Sequence, residues 1–346
     1  MLDRLTISMR ASHLIALVFF AAALAFALIA TLIGDTFYMR LASEALIFGG
    51  LALSVDFLLG FVGQLSLGQA LYFGIGAYAS ALILMKVPSF WIAMGGATLA
   101  VLVFSLIGGL IVNRVRGIYF ALITFGLAQV AAKVVYNTRE LGASDGIIGI
   151  PVIDINLLFF SFSAANPLAF FLFVLTIVMG FYLIAGWLLE TPVGRAMIAI
   201  RANEQRVAFL GYSVRNIRLG AYVFSALIAG LSGALYPVLR GFVSPELMYF
   251  AASGNAVVAA IVGGVGTLIG AIIGSMIIVG AKSMIGSWTE HHAIFIGIMF
   301  MAVVLFMQKG VFGVVRERIE RRMIANAMRR AEGDAVPPMS ASKERV

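Results

Sequence analysis

The feature that most constrains this chain is a set of apolar runs with no charge in them. Leu14 to Ile33 and Trp91 to Val112 each hold about 20 residues free of Asp, Glu, Lys and Arg, the length an α-helix needs to cross a hydrocarbon core of roughly 30 Å. A soluble fold has no way to hide that much apolar surface. Of the 346 residues, 62% are hydrophobic and 12% charged, against roughly half and a quarter in ordinary soluble domains. Barrel strands would instead give segments of about ten residues with every second position polar, and no such alternation is present. The expected fold class is therefore all-α: a polytopic membrane protein of about ten transmembrane helices, several of them broken by glycine.

The charges between the runs set the expected topology. Arg4 and Arg10 precede the first run and place the N-terminus in the cytoplasm. That run is longer than the apolar region of a cleaved signal peptide, so it reads as a retained span. Further spans are expected over 43–59, 70–85, 91–112, 118–136, 167–189 and 217–239. The turn holding Arg114 and Arg116 falls inside, as does the loop 190–216 with Arg195, Arg201, Arg206 and Arg215. The loop 137–166 has no positive excess and falls outside. From Lys309 onward the chain is again rich in arginine, including Arg316, Arg318, Arg321 and Arg322, so an odd number of crossings must follow residue 239. The apolar block 254–285 accordingly divides at Gly263, Gly264 and Gly266 into a short crossing over 250–263 and a second over 267–285, and 293–308 makes the tenth. The alternative is one long tilted helix with the charge rule broken. This gives a permease domain over 1–310 and a basic, partly disordered cytoplasmic tail over 311–346, with both termini inside the cytoplasmic (inner) membrane of a bacterium.

Several chemistries are excluded by what the sequence lacks. There are no cysteines, so disulfides, iron–sulfur clusters and thiolate metal sites are out. The three histidines, His13, His291 and His292, sit near span ends and offer no axial ligands for a membrane haem. No G-x-x-x-x-G-K-[ST] phosphate loop occurs, so any ATP-driven work falls to a partner, and no enzymatic activity, cofactor, metal or nucleic-acid partner is expected. Paired acids and bases in mid-span, common in ion-coupled transporters and pumps, are missing as well. Asp56 is the one carboxylate deep in an apolar run, and Lys133 the one lysine. Asp56 serves either a proton or ion relay, or simply sits solvated near the cytoplasmic end of its helix.

Two stretches carry the functional signal. In GFVGQLSLGQALYFGIGAYASAL, Gly60 to Leu82, the glycines Gly60, Gly63 and Gly68 permit a break in or at the edge of the membrane, and Gln64, Ser66 and Gln69 bring uncharged polar groups to it. Those groups either bind a polar solute weakly or only satisfy the backbone freed by the break. The second stretch is the loop TPVGRAMIAIRANEQRVAFLGYS. Thr191 can cap a helix with Pro192 at its first position, and Val193, Ala196, Met197 and Ile200 form a stripe at helical spacing. Asn203 can cap a second short helix ending at Gly211. Such a hairpin either lies on lipid headgroups or docks into another protein. Gly266, Gly270 and Gly274, spaced by four, suggest a small-residue packing stripe.

These stretches resemble a known family. GFVGQLSLGQALYFGIGAYA is similar to the G-x-x-G-Q-x-S-L-G-x-x-x-F-x-x-x-G-A-Y signature of the permease subunits of branched-chain amino-acid (LIV-type) ABC importers, with Tyr72 just before the expected Phe73. The loop from Thr191 resembles the family's P-x-G-R-A-x-x-A-I-R-x-N-E-x-A-A-x-x-L-G segment, with Arg206 and Val207 where small residues are frequent. VVAAIVGGVGTLIGAIIG resembles its L-G-G-x-G-T-x-x-G-P-x-x-G-A element, with Ala271 replacing the proline and Asn255 where a glutamate is common. The loop residues Ser144, Asp145, Gly146 and Ile147 point to the second of the two paired permeases. Urea and short-chain amide importers share these elements, so the resemblance leaves the solute open.

The resemblance implies a core of broken helices paired with a second homologous permease, two ATP-hydrolysing subunits and an external solute-binding protein. Translocation-pathway roles are expected for Asp56, Gln64, Ser66, Gln69, Tyr72 and Asn255. Gly60, Gly63, Gly68, Gly263, Gly264, Gly266 and Gly270 would make the breaks and close packing. Gly194, Arg195, Arg201, Asn203, Glu204 and Gly211 would form the ATPase-coupling hairpin over 191–211. A secondary transporter is the rival reading from another class, and it lacks an ion-coupling site.

Overall fold

The protein is described here from a computed structural model covering residues 2–34, 36–156 and 161–286, together with positions 297, 298, 301 and 310. The expected tenth span, 293–308, lies outside these residues except for positions 297, 298 and 301, and the tail, 311–346, lies outside them entirely. Helix α1 runs Leu2–Ile33, α2 Thr36–Asp56, α3 Gln69–Lys86, α4 Phe90–Val112, α5 Ile118–Asn137 and α6 Pro167–Glu190. The hairpin helices are α7, Pro192–Ala202, and α8, Glu204–Phe209. Then follow α9, Val214–Arg240, α10, Phe250–Gly263, and α11, Ile269–Gly286.

Among the described residues, six helical segments are long and apolar enough to cross a membrane, while Ile15–Thr31 and Phe250–Gly263 are shorter apolar helices. The chain is a multi-pass, predominantly helical membrane protein. Where the sequence left one long tilted helix open as an alternative, the structure has two: α10 stops at Gly263, and α11 starts again at Ile269 after a turn in which Gly264 and Gly266 have φ of 117° and 80°. Gly266 therefore lies in the turn, and the expected stripe of Gly266, Gly270 and Gly274 is not a single helix face.

Helix α2 is the buried axis. Its continuous span Thr36–Val62 is 83% buried over its most apolar window, packed against α6, α9, α10 and α11, while α3 is held between α4 and α9. Lipid tails are as apolar as leucine, so helices in a bilayer are held by close packing and interhelical hydrogen bonds. Both are present. Leu46, Ile47 and Leu53 have no exposure, and the buried hydroxyls of Ser225 and Ser275 reach across to α2, donating to the carbonyls of Ser54 at 2.7 Å and Ala45 at 3.0 Å. The outward faces of α4 and α5 keep apolar residues such as Leu99, Phe104 and Ile118 exposed, as a lipid-facing surface requires.

The region expected as an external loop holds structure that an all-α reading omits. Strand β1, Ile147–Ile148, pairs antiparallel with β4, Phe242–Val243, and β2, Asp154–Asn156, pairs with β3, Ser161–Ser163. Trp91 Nε1 donates to the Asn156 carbonyl at 2.6 Å, tying the second pair to the start of α4. Strands of two or three residues carry too little alternation to read, which is why the sequence did not reveal them.

Candidate functional site

The expected break in α2 is present, and it takes a specific form. The helix passes at Asp56 into one π-helical segment, Phe57–Val62, and ends at Gly63 in the left-handed conformation, with φ of 77°. A π segment widens the helix by one residue per turn and frees backbone groups, a geometry frequent at functional sites. Here the span reaches Val62, beyond the end expected at residue 59. Residues 63–68 then lead irregularly into α3.

Asp56 stands at the junction with no exposure. Its Oδ1 accepts the backbone N–H of Gly266 at 2.6 Å, and its Oδ2 that of Leu268 at 2.8 Å. The expectation of an Asp56 solvated at its helix end is therefore corrected. Gly264 and Gly266 interrupt the helix at the α10–α11 turn, so the N–H groups of Gly266 and Leu268 there point to Asp56, and a carboxylate is the strongest acceptor available to them. Backbones meet closely at the same place: a Cβ on Gly60 would lie 2.6 Å from the Cα and N of Gly266.

The cytoplasmic hairpin closes on this junction from the other side. Its caps are those the sequence predicts: Thr191 Oγ1 accepts from Gly194 N at 3.2 Å, and Asn203 Oδ1 from Arg206 N at 3.1 Å. Ala196, Met197 and Ile200 are buried as expected, but Val193 is exposed and Gly194 is buried in its stead, packed so tightly on Leu188 and Leu189 that a Cβ would collide with their backbone. Arg201, at the end of α7, donates to the Gly60 carbonyl, and its Cγ would meet a Cβ on Gly63 at 2.9 Å. Glu204, at the start of α8, is paired with Arg116 at 3.1 Å and Arg218 at 3.4 Å. Arg195 carries no charge pair among the described residues, and Gly211 ends the hairpin with φ of 82°.

Arg218 is the residue that sequence reasoning missed. It is 5% exposed, donates through Nη2 to the Val115 carbonyl at 2.8 Å, and faces Glu204. The Gln64 amide lies on the same guanidinium, its oxygen accepting from Nε at 2.6 Å and from Nη2, the orientation that satisfies both groups. Its signal was in the sequence, as a cation just inside the span expected at 217–239. Thr124 and Ser253 were also missed: Leu67 N donates to Thr124 Oγ1 at 3.2 Å and Ala70 N to Ser253 Oγ at 3.1 Å, so α5 holds the end of the loop and α10 the first turn of α3.

Among the described residues, the expected pathway residues Asp56, Gln64, Ser66 and Tyr72 each have partners of their own. Asp56 and Gln64 are engaged as above. Ser66 is buried, with Oγ accepting from Gly68 N at 3.4 Å, and Gly68 abuts the Thr124 backbone. The Tyr72 hydroxyl is buried against that of Tyr222 at 2.9 Å. Asn255 is exposed on α10. Gln69 differs from the rest: it has no exposure, and neither of its amide atoms has a partner among the described residues. Gly263 and Gly270 pack face to face between α10 and α11. A cavity of about 150 Å³ lies elsewhere, lined by Arg40, Ser43, Ile150, Pro167 and Arg240. No group of three or more metal-ligating side chains occurs among the described residues.

Residues 37–304 match the family described as branched-chain amino acid transport system, permease component. The chain belongs to this family. Among its relatives, a high-affinity branched-chain amino acid transport system permease protein LivM of Escherichia coli K12 is 27% identical over 301 residues, covering 81% of this chain and 71% of that protein. A LivH permease of the corresponding system in Salmonella typhimurium LT2 is 21% identical over 78% of this chain and 92% of its own length. A probable LivM permease of Methanocaldococcus jannaschii is 26% identical over 54% and 62%. No solved structure gives a significant match. The relatives are transport permease components and not enzymes. In this LivM-like permease the segment that matches the family spans the α2 break, the hairpin and the α10–α11 turn together.

Proposed function

We propose that the chain is the membrane-spanning permease subunit of an ATP-driven importer, moving branched-chain amino acids inward with energy supplied by partner ATPase subunits. The observation that carries this reading is the hairpin α7–α8 seated on the broken end of α2. Such an element has one buried side for the membrane domain and one exposed side for a partner, and Phe209 at the end of α8 is 91% exposed. Bare headgroup contact would not require a buried Arg218 and a half-buried Glu204 joining the hairpin to a helix break. The exposed face, with Val193, Arg195, Phe209 and Leu210, suits a cleft in an ATPase, and Arg201 and Glu204 stand behind it.

Both LivM and LivH proteins are similar to this chain, which supports pairing with a second homologous permease. An external binding protein completes the importer, in a bacterial inner membrane with ten spans and both termini inside. In this reading Gln69, whose buried amide has no partner among the described residues, is the pathway group left to meet solute, at the first turn of α3, where the helix dipole favours a carboxylate.

The test is uptake of labelled L-leucine by cells or proteoliposomes holding the chain with its partner subunits. Leucine uptake that needs ATP, with ATPase copurifying, supports the reading. Uptake displaced by urea or acetamide and not by leucine or isoleucine would assign the importer to short amides instead. Uptake that follows an ion gradient without ATPase would make it a secondary transporter.

A further inference from the structure

We infer that Arg218 and Arg201 tether the two halves of the hairpin to the two sides of the α2 break, and that the Asp56 carboxylate passes this hold on to the α10–α11 turn. The inference rests on the hairpin being where the ATPase docks, and it names the residues through which docking would reach the membrane.

The argument is geometric. Arg201 of α7 grips the Gly60 carbonyl, before the left-handed Gly63. Glu204 of α8 acts through Arg218, whose guanidinium holds Gln64, after Gly63. One contact would let the broken segment pivot about it. Two contacts on opposite sides of the break fix its orientation relative to the hairpin. Asp56, one turn before Gly60, then binds Gly266 N and Leu268 N, so the broken segment and the turn move as one body. Arg218 suits this position because a planar guanidinium can serve Glu204, the Val115 carbonyl and Gln64 at once, where an ammonium is a point charge. A buried arginine at the end of a membrane helix is costly unless its donors are satisfied, and it is retained here where all its partners belong to the break or its cytoplasmic surroundings. Arg218 is thus a positioning residue, acting through Gln64 and Glu204 and not on solute.

The test uses the whole importer in proteoliposomes: this chain with its paired permease, ATPase subunits and binding protein, and L-leucine as the transported probe. Three quantities are read: ATPase retained on purification, ATP hydrolysed, and leucine moved per ATP. In Arg218→Gln, ATPase should stay bound with hydrolysis within about twofold, while leucine per ATP falls roughly tenfold, the effect of losing one buried charge-assisted hydrogen bond. Arg218→Lys should fall nearly as far, because it keeps the Glu204 contact but loses the fork. A purely structural role would lower protein level, bound ATPase and hydrolysis in parallel and leave leucine per ATP unchanged, which overturns the inference. If Arg218→Gln does not assemble, Gln64→Leu carries the same reading: it leaves Arg218 on Glu204, and an unchanged leucine per ATP there overturns the tether. Docking has its own measurement. ATPase retained at wild-type level in Phe209→Glu removes the docking reading, whereas unchanged leucine per ATP in Arg218→Gln removes the tether with docking intact.

Discussion

Asp56, at the end of α2, accepts the backbone N–H of Gly266 at 2.6 Å across 210 positions of sequence, and its second oxygen takes that of Leu268. A carboxylate shared between two N–H groups of a turn fixes that turn as a capping residue fixes a helix start, with the added strength of charge. Asp56→Asn keeps one acceptor oxygen and sets an amide N–H against a backbone N–H. The protein should still insert, lose about 1–3 kcal/mol of stability as a lower melting temperature in detergent, and lose leucine uptake with it. Normal uptake in this variant would mean the clamp is incidental to transport.

The glycines of the break and a glycine on an open helix face predict opposite outcomes for an added side chain. Gly60→Ala puts a methyl group 2.6 Å from the Gly266 backbone, which has no side chain to give way. Gly63→Leu forces a side chain into φ of 77°, at a cost of about 1–2 kcal/mol before any clash with Arg201. Both should abolish uptake while membrane insertion is kept. Gly95→Ala in α4 meets nothing within 4 Å and should transport normally. Equal activity of the three variants would show that the break has no role.

The two arginines that share Glu204 should not be equivalent. Arg116 is 70% exposed and its pair with Glu204 contributes at most about 1 kcal/mol, so Arg116→Ala should change little. Arg218 is buried, and Glu204→Ala leaves it unpaired, which should loosen the hairpin and increase proteolytic cutting between residues 203 and 213. If Arg116→Ala is the more damaging of the two, the exposed pair is the one that holds the hairpin.

Topology can be read from cysteine labelling, because the sequence has no native cysteine to compete. Phe209→Cys, at the exposed end of α8, should react with a membrane-impermeant maleimide only from the cytoplasmic side. Ile148→Cys, 70% exposed in β1, should react only from outside. Labelling of both from one side would break the charge-based orientation.

The sequence alone determined the membrane class, the hairpin and the place of the break, because each is written in local pattern. Charge-free runs need no partner to declare a span, Thr191 and Asn203 cap helices within three residues of themselves, and clustered glycines mark where a helix can stop. Only the tertiary structure decided what Asp56, Arg201, Gln64 and Arg218 do. Their partners lie far off in the chain: Arg201 and Gly60 are separated by 141 positions, Arg218 and Val115 by 103. A buried charge in an apolar run says that it must be satisfied, and nothing in its neighbours says by whom. The same holds for β1 and β4, which pair across α6 to α9 through backbone groups that no side-chain pattern records. Local chemistry thus set the elements, and long-range hydrogen bonding in a medium without water chose which of them are held together.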